Sequence, residues 1–187
     1  MKTKSKRWLF GALLGLSGLG MFNLAQAQSL LPEKSSVKFT GKQMGAPFTG
    51  QFKKFQAQVQ FDPAHLNQSH THLQIDINST TLPSKESETE LKGKNWFDVA
   101  NFPQAKFVST EIQLHQNTYL VIGKLTIKNI TKTISVPMTA KKLADNTWEF
   151  TGKISLNRLD FKLGQGMWAD LETVSNAVDV HFHFLAK

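Results

Sequence analysis

Apolar and polar residues alternate with a period of two along most of the chain after residue 35, which is typical of half-buried β-strands. Asparagine, aspartate and proline separate the alternating runs, as turns between strands require. In the second run, Lys53-Lys54 interrupt the alternation, as a β-bulge would. The pattern predicts eight strands over residues 35–42, 48–61, 70–78, 104–116, 118–128, 130–143, 147–157 and 174–185.

The order and length of these strands predict an all-β fold. Short connections favour antiparallel pairing of neighbouring strands, and an open sheet of such long strands would leave exposed edges. We therefore expect an eight-stranded, antiparallel, up-and-down barrel, with a β-sandwich as the alternative. A barrel of eight strands has an interior that side chains can fill or that can hold one small ligand.

Residues 81–110 break the strand pattern. Ser87 and Glu90 have the spacing of a capping box, which predicts the start of a short helix. Gly93 is placed to end that helix in the left-handed conformation. A turn carrying the aromatic pair Trp96-Phe97 follows. We expect this insertion to form a short helical lid on the barrel.

The N-terminus has the three parts of a secretory signal peptide. Four basic residues precede an apolar run from Trp8 to Phe22, and Ala25-Gln26-Ala27 matches an A-x-A cleavage site. An uncleaved anchor is the alternative, but the run is shorter than the ~20 residues that span a membrane. Residues 1–27 are thus predicted to be a leader, residues 28–187 the mature domain, and the periplasm its location.

Charge and cysteine content narrow the class of protein. Residues 1–27 hold four basic residues and no acidic one, so the mature chain would carry 18 basic and 14 acidic residues, a net charge of +4. That charge is compatible with transient contact at a membrane surface but not with a nucleic-acid partner. The absence of cysteine excludes disulfides and thiolate metal sites. The pattern leaves open whether the barrel is a monomer or a dimer.

The predicted inward faces and the lid are rich in aromatic residues. The chain has 14 phenylalanines and four tryptophans, more than we expect of an ordinary core, although core packing is the alternative for any single ring. Burying an alkyl chain against them would contribute ~0.8 kcal/mol per methylene. The predicted lining of an apolar tunnel is Phe39, Phe55, Phe61, Trp96, Phe97, Phe102, Phe107, Tyr119, Met138, Trp148, Phe150, Trp168 and Phe182.

Four segments carry a resemblance to a known family: FTGQFKKFQAQVQFDP, ESETELKGKNWFDVANFPQAKFVST, GKLTIKNITKTISVPM and RLDFKLG. In this order and spacing, over nearly all of residues 30–187, the chain resembles the YceI-like family of exported lipid-binding proteins. The resemblance implies a lipocalin-like barrel and a polyisoprenoid ligand. The family often carries one histidine before the first strand and another in a K-H-M-G turn. This chain has Lys34-Ser35 and Lys42-Gln43-Met44-Gly45 there.

A tunnel needs a few polar groups to orient its ligand. We predict Lys42, Arg158 and Asp160 as the head-group site, because a guanidinium can bind a phosphate or carboxylate in a bidentate manner. The alternative is an Arg158–Asp160 ion pair that only holds the loop.

Other chemistries have weaker support. The alternating positions Asp179, His181 and His183 have the spacing of metal ligands. However, the apolar residues between them, Val180 and Phe182, are predicted to face inward, so we interpret the histidines as surface residues. Residues 164–169 match the loose G-x-G-x-x-A pattern without the βαβ unit that gives it meaning. We predict no enzymatic activity, no cofactor and no metal site.

The predicted function is that of an exported carrier or sequestering protein for one long-chain lipid, of polyisoprenoid or fatty-acyl type. The alternative is a filled-core barrel acting through its surface, as a stress-related partner or metal-binding protein.

Overall fold

The computed structural model describes residues 27–187, so the predicted leader lies almost wholly outside the described residues. The described chain has one α-helix, α1 (Lys85–Lys92), which is too short to cross a membrane, as are the 3₁₀ turns in this part of the chain. Its strands are β1 (Gln28–Ser29), β2 (Ser36–Gln43), β3 (Ala46–Phe52), β4 (Phe55–Gln60), β5 (His70–Asp76), β6 (Thr80–Thr81), β7 (Gln104–His115), β8 (Thr118–Ile127), β9 (Ile130–Lys142), β10 (Trp148–Asn157) and β11 (Ala177–Ala186).

The all-β prediction is confirmed, but the number of strands is eleven within residues 27–187 and not eight. The predicted second strand is divided at Lys53-Lys54 into β3 and β4, so the irregularity there is a full break in the strand. The other two additions, β1 and β6, have two residues each. Two residues are too few to show an alternating pattern, which is why the sequence did not reveal them.

All eleven strands belong to one antiparallel sheet, in the order β1-β4-β5-β7-β8-β9-β10-β11-β2-β3-β6. A single sheet excludes the two-sheet sandwich. The strands β3 and β4 lie near opposite edges of this order, yet only Lys53-Lys54 separate them in the chain. The sheet must therefore curl until its edges meet, which is consistent with a lipocalin-like barrel. At the seam, β1 pairs with β4, and the adjacent Leu30 bridges to Ala186 in β11.

The helix begins three residues earlier than the predicted capping box. Ser84 is the N-cap, and its hydroxyl accepts a hydrogen bond from the amide of Ser87. The carboxylate of Glu88 accepts a hydrogen bond of 3.2 Å from the backbone N–H of Leu82, which precedes the helix. Gly93 ends the helix with φ −68°, an extended conformation, so the predicted left-handed cap is wrong. The helix and the coil that follows it, residues 84–103, are called the lid below.

The barrel has two different ends. The lid follows β6 and leads into β7, whose first residue, Gln104, pairs with Asp76 at the end of β5. The late loop (residues 158–176) joins β10 to β11 at the same end, where the amides of Gly164 and Gln165 donate to the carbonyl of Asn95, each at 2.8 Å. We call this the open end. The opposite end, which carries β1 and the turns around residues 62–69 and 143–147, is the packed end.

Candidate functional site

The barrel encloses a cavity of about 650 Å³, within the range of about 300–1,000 Å³ that small-molecule sites occupy. Its wall is almost entirely apolar, with contributions from every long strand. The polar residues on the wall are few: Gln43, His70, Thr71, Ser84, Glu86, Ser87, Glu90 and Arg158. Such a cavity can hold an apolar chain and offers little to bind a polar molecule.

The cavity stays hollow because several large side chains lie beside glycines. Phe39 on β2 is directly opposite Gly50 on β3, and its ring occupies the space where a Cβ at Gly50 would lie. Phe182 on β11 has the same relation to Gly152 on β10. A ring that fills the gap left by a missing side chain lies against the wall instead of reaching toward the barrel axis. The glycines therefore leave the centre of the barrel free of these rings.

Nine of the thirteen residues predicted to line a tunnel do line the cavity. These nine are Phe39, Phe61, Trp96, Phe97, Phe107, Met138, Phe150, Trp168 and Phe182. Contact of these side chains with a ligand stays a prediction.

Phe55, Phe102, Tyr119 and Trp148 are not part of the cavity wall. Phe55 packs on Phe184, with ring centroids 5.7 Å apart. Phe102 is half-buried in the lid segment that leads into β7. Alternation shows which face of a strand a residue occupies, but not how far along the barrel the cavity extends.

The packed end is filled by aromatic rings. Phe61 makes edge-to-face contacts with Tyr119, Trp148 and Phe150, at centroid distances of 5.0, 5.2 and 5.4 Å. The side-chain amide of Gln28 holds the backbone of Phe61, accepting from its N–H at 2.9 Å and donating to its carbonyl at 3.1 Å. Of the polar wall residues, only His70 and Thr71 lie in a strand end on this side.

The cavity opens between α1 and the β2–β3 turn. Gln43, Glu86, Ser87 and Glu90 line the cavity and are exposed to solvent at the open end, and we take this group as the mouth. The other exposed polar residue of the wall is His70, which stands alone at the packed end. The charged groups among them are carboxylates. A ligand's polar end at this mouth would therefore meet carboxylates, hydroxyls and one neutral amide. Gln43 occupies the place of the histidine in the K-H-M-G turn, and it is not among the predicted site residues.

Arg158 is the polar centre of the open end. The residue is only 2% exposed, and all five of its N–H groups donate to backbone carbonyls. Its guanidinium also lies 5.3 Å from the ring centre of Trp96 in the lid. Burial lowers the pKa of Arg158, although an arginine remains charged at any ordinary pH. The carbonyls belong to Leu163 (2.8 Å), Gly164 (3.1 Å), Trp168 (2.7 Å), Val174 (2.8 Å) and Ser175 (3.1 Å).

The geometry does not assemble the predicted head-group site. Arg158 lines the cavity but has no free donor, while Lys42 and Asp160 are exposed and do not line it. The alternative ion pair is also absent, since the ion pairs found within residues 27–187 include neither Arg158 nor Asp160. Arg158 instead ties five carbonyls of the late loop to one point. The sequence shows the charge of an arginine but not which carbonyls surround it.

The candidate metal ligands on β11 interact with separate partners. Asp179 binds Lys153 at 2.8 Å, and His183 contacts Glu149 at 3.0 Å, while His181 is exposed. The hydrogen bond from Lys153 is the main reason why the pKa of Asp179 lies below its usual value. Across residues 27–187 no three metal-ligating side chains converge on one point.

Comparison with known proteins identifies the family. The model of the YceI-like domain matches residues 29–186, which is nearly all of the described chain. The chain belongs to the YceI-like family. A UPF0312 protein of Yersinia pestis is 30% identical over 144 residues, covering 73% of this chain and 75% of the relative. A UPF0312 protein of Photorhabdus laumondii is 29% identical over 124 residues, or 63% and 65% of the two chains.

Solved structures share the YceI-like barrel. BcnA of Burkholderia cenocepacia superposes with a TM-score of 0.82 at 40% identity, covering 84% of this chain and 99% of that chain. A polyisoprenoid-binding domain from Saccharophagus degradans, implicated in plant cell wall breakdown, gives a TM-score of 0.68 at 16% identity, with coverage of 86% and 98%. At that identity the second likeness establishes the fold alone.

Proposed function

We propose that this YceI-like protein is an exported carrier or sequestering protein that binds one long-chain apolar lipid, of polyisoprenoid or fatty-acyl type, inside its barrel. The observation that carries the proposal is the cavity of about 650 Å³ with an apolar wall, aromatic rings at one end and a mouth at the other. Burial of ten methylenes there would contribute roughly 8 kcal/mol before the costs of ordering the chain. No reacting group is needed for such binding.

Two further observations support a lipid ligand. The neighbour from Saccharophagus degradans is described as polyisoprenoid-binding, and it has the same fold. The hollow interior also disfavours the second hypothesis, a filled core with a purely surface role, because about 650 Å³ of the interior is not filled by side chains. Export to the periplasm is part of the proposal and rests on the leader predicted over residues 1–27.

The polar end of the ligand lies at the open end, with the chain directed toward Phe61. Glu86 and Glu90 at the mouth would repel a phosphate or a carboxylate, and the guanidinium of Arg158 is already saturated. The head group is therefore neutral or cationic, with hydrogen bonds from or to groups such as Gln43. This assignment replaces the anionic head group that the sequence suggested.

The test is extraction of protein purified under native conditions, followed by mass spectrometry of the extract. We expect a long-chain lipid in near-stoichiometric amount. In parallel, a fluorescent polyprenol should bind at micromolar concentration, and the corresponding polyprenyl phosphate should bind at least tenfold more weakly because of the two carboxylates. An empty extract together with no binding of either probe would refute the lipid proposal. Equal binding of the two probes would refute only the assignment of the head group.

A further inference from the structure

Large apolar side chains protrude into solvent around the mouth of the cavity. Met44 is 81% exposed, Met167 is 77% exposed and Leu171 is 52% exposed. Met44 is in the β2–β3 turn and the other two are in the late loop, and the amide of Met44 donates to the carbonyl of Thr173 at 2.9 Å. The two segments are therefore neighbours. We call Met44, Met167 and Leu171 the rim.

Met44 is exposed although neither its backbone conformation nor its packing favours a methionine there. Met44 and Gly45 form a two-residue hairpin loop between Gln43 and Ala46, with φ values of 48° and 81°. Positive φ at both positions is the type I′ turn, which favours asparagine, aspartate or glycine at the first position. A methionine there is unfavourable for the turn and gains nothing from packing. Lys128 has positive φ at the same position of the loop between β8 and β9, so what distinguishes Met44 is its exposed apolar side chain and not the turn itself.

We propose that the rim docks on the surface of a lipid bilayer and inserts its three apolar side chains, so that the mouth of the cavity faces the membrane. This inference rests on the proposed lipid-binding function and assigns the surface through which the ligand passes. Each rim residue is next to the cavity wall: Met44 follows Gln43, Met167 precedes Trp168, and Leu171 is three residues from Val174. A lipid leaving the bilayer would then enter the mouth directly, with its apolar chain beside the rim and its polar end beside Gln43, Ser87 and the two carboxylates.

The charges beside the rim indicate insertion and not attraction to anionic lipids. Lys42 and Glu172, which flank the rim, have opposite charges and are both exposed. The carboxylate of Asp170 is turned to its own loop, where it accepts from the amide of Thr173 at 3.1 Å and from its hydroxyl at 2.6 Å. With the carboxylates of Glu86 and Glu90 at the mouth, this face has no excess of positive charge that would attract anionic lipids, so insertion into a zwitterionic bilayer should depend little on salt. A protein partner is the competing occupant.

The experiment measures sedimentation with phosphatidylcholine vesicles. The full chain is expressed, the protein is purified from the periplasmic extract, and intact mass establishes where the chain begins. We expect Met44→Asn combined with Met167→Ser and Leu171→Ser to weaken vesicle binding at least tenfold. The matched control is Leu114→Ser, which removes a 63% exposed leucine from β7 away from the rim, and it should change binding less than twofold. Met44→Asn alone should weaken binding while maintaining or raising the melting temperature, because asparagine is favoured in the turn.

Three results would overturn the inference: no vesicle binding by the unaltered protein, equal binding by the triple variant, or an equal loss in Leu114→Ser. A protein partner as the sole occupant would produce the first of these. Uptake of a fluorescent polyprenol from dilute solution serves as a separate measurement on the same variants. If the docking proposal is right, the triple variant takes up the probe normally from solution and slowly from vesicles. If the unaltered protein takes up no probe from either source, the lipid-binding function itself fails.

Discussion

The two ends of the barrel are stabilised by different kinds of interaction. At the packed end, aromatic rings meet around Phe61, and the ammonium of Lys142 lies 5.9 Å from the ring centre of Trp148. At the open end, irregular backbone is held by the five hydrogen bonds of Arg158. An irregular loop leaves carbonyls without strand partners, and a guanidinium has enough donors for five of them. The open end can thus be well ordered and still leave an entrance to the cavity, because hydrogen bonds fix the late loop without filling the mouth with side chains.

The largest expected effect is at the open end. Arg158→Gln should lower the free energy of unfolding by ~3–5 kcal/mol, since several buried carbonyls would lose their donors. Lysine should rescue little of this loss, because an ammonium has three donors in a different geometry. Urea unfolding measures the change, and hydrogen exchange should show faster opening in residues 158–176.

Lys42→Gln is the matched control for the arginine, since it removes a positive charge from an exposed position at the same end and should change stability by less than about 0.5 kcal/mol. If Arg158→Gln were equally mild, the hydrogen bonds of the guanidinium would not be what orders the late loop.

The second effect is at the packed end. Phe61→Leu keeps an apolar residue but removes three edge-to-face contacts, so we expect a loss of about 1–3 kcal/mol in the free energy of unfolding. Exchange protection should fall in β4, β8 and β10, while residues 158–176 stay protected. A uniform loss of protection at both ends would show that the ends are not stabilised independently.

The sequence predicted the packed end better than the open end, for a physical reason. Alternation with a period of two reports which face of a strand is buried, so Phe61 and Phe150 could be placed inward from pattern alone. At the open end the backbone is irregular, and the role of Arg158 depends on carbonyls up to 17 residues away in the chain. Nothing in the pattern of charges distinguishes a guanidinium that binds a ligand from one that binds its own loop. The same limit applies to Gln43, which lines the cavity together with residues of α1 that lie about 43 positions or more further along the chain.

The third effect concerns the hollow middle of the barrel, between the two ends. A methyl group at Gly50 would meet the ring of Phe39 and the side chain of Leu82, both of which can move. In Gly50→Ala the ring should swing toward the barrel axis and occupy part of the cavity. We expect about a fivefold loss of affinity for a long polyprenol, with a smaller loss for a short one. Titration with probes of two chain lengths measures this.

The control for Gly50 is Thr49→Ala, on the neighbouring exposed position of β3, which should leave both affinities unchanged. Equal losses for the long and the short probe would mean that Gly50→Ala distorts the barrel and does not shorten the cavity.

The smallest effect is a response to acid in the late loop at the open end. Hydrogen bonds from the hydroxyl of Thr173, and then from the amides of Glu172 and Thr173, hold the pKa of Asp170 below its usual value of 3.8. A carboxyl whose pKa is lower in the folded state contributes stability above pH 3.8, and that contribution is lost as the pH falls through the folded pKa. Residues 170–173 should therefore loosen below pH 3.8.

The packed end has aspartates of the same kind, because a hydrogen bond with the imidazole of His65 lowers the pKa of Asp62 and one from the amide of Thr147 lowers the pKa of Asp145. Only the part of the acid response that Asp170→Asn removes therefore belongs to the open end. The measurement is amide hydrogen exchange at Glu172 and Thr173 at pH 5 and at pH 3. At each pH the protection in the unaltered protein is divided by that in Asp170→Asn, because this ratio cancels the intrinsic effect of pH on exchange. Protection should exceed that of the variant at pH 5 and approach it at pH 3. A ratio that stays constant would mean that the carboxylate of Asp170 does not order the loop, which would then be held by Arg158 and by backbone hydrogen bonds such as those to Asn95.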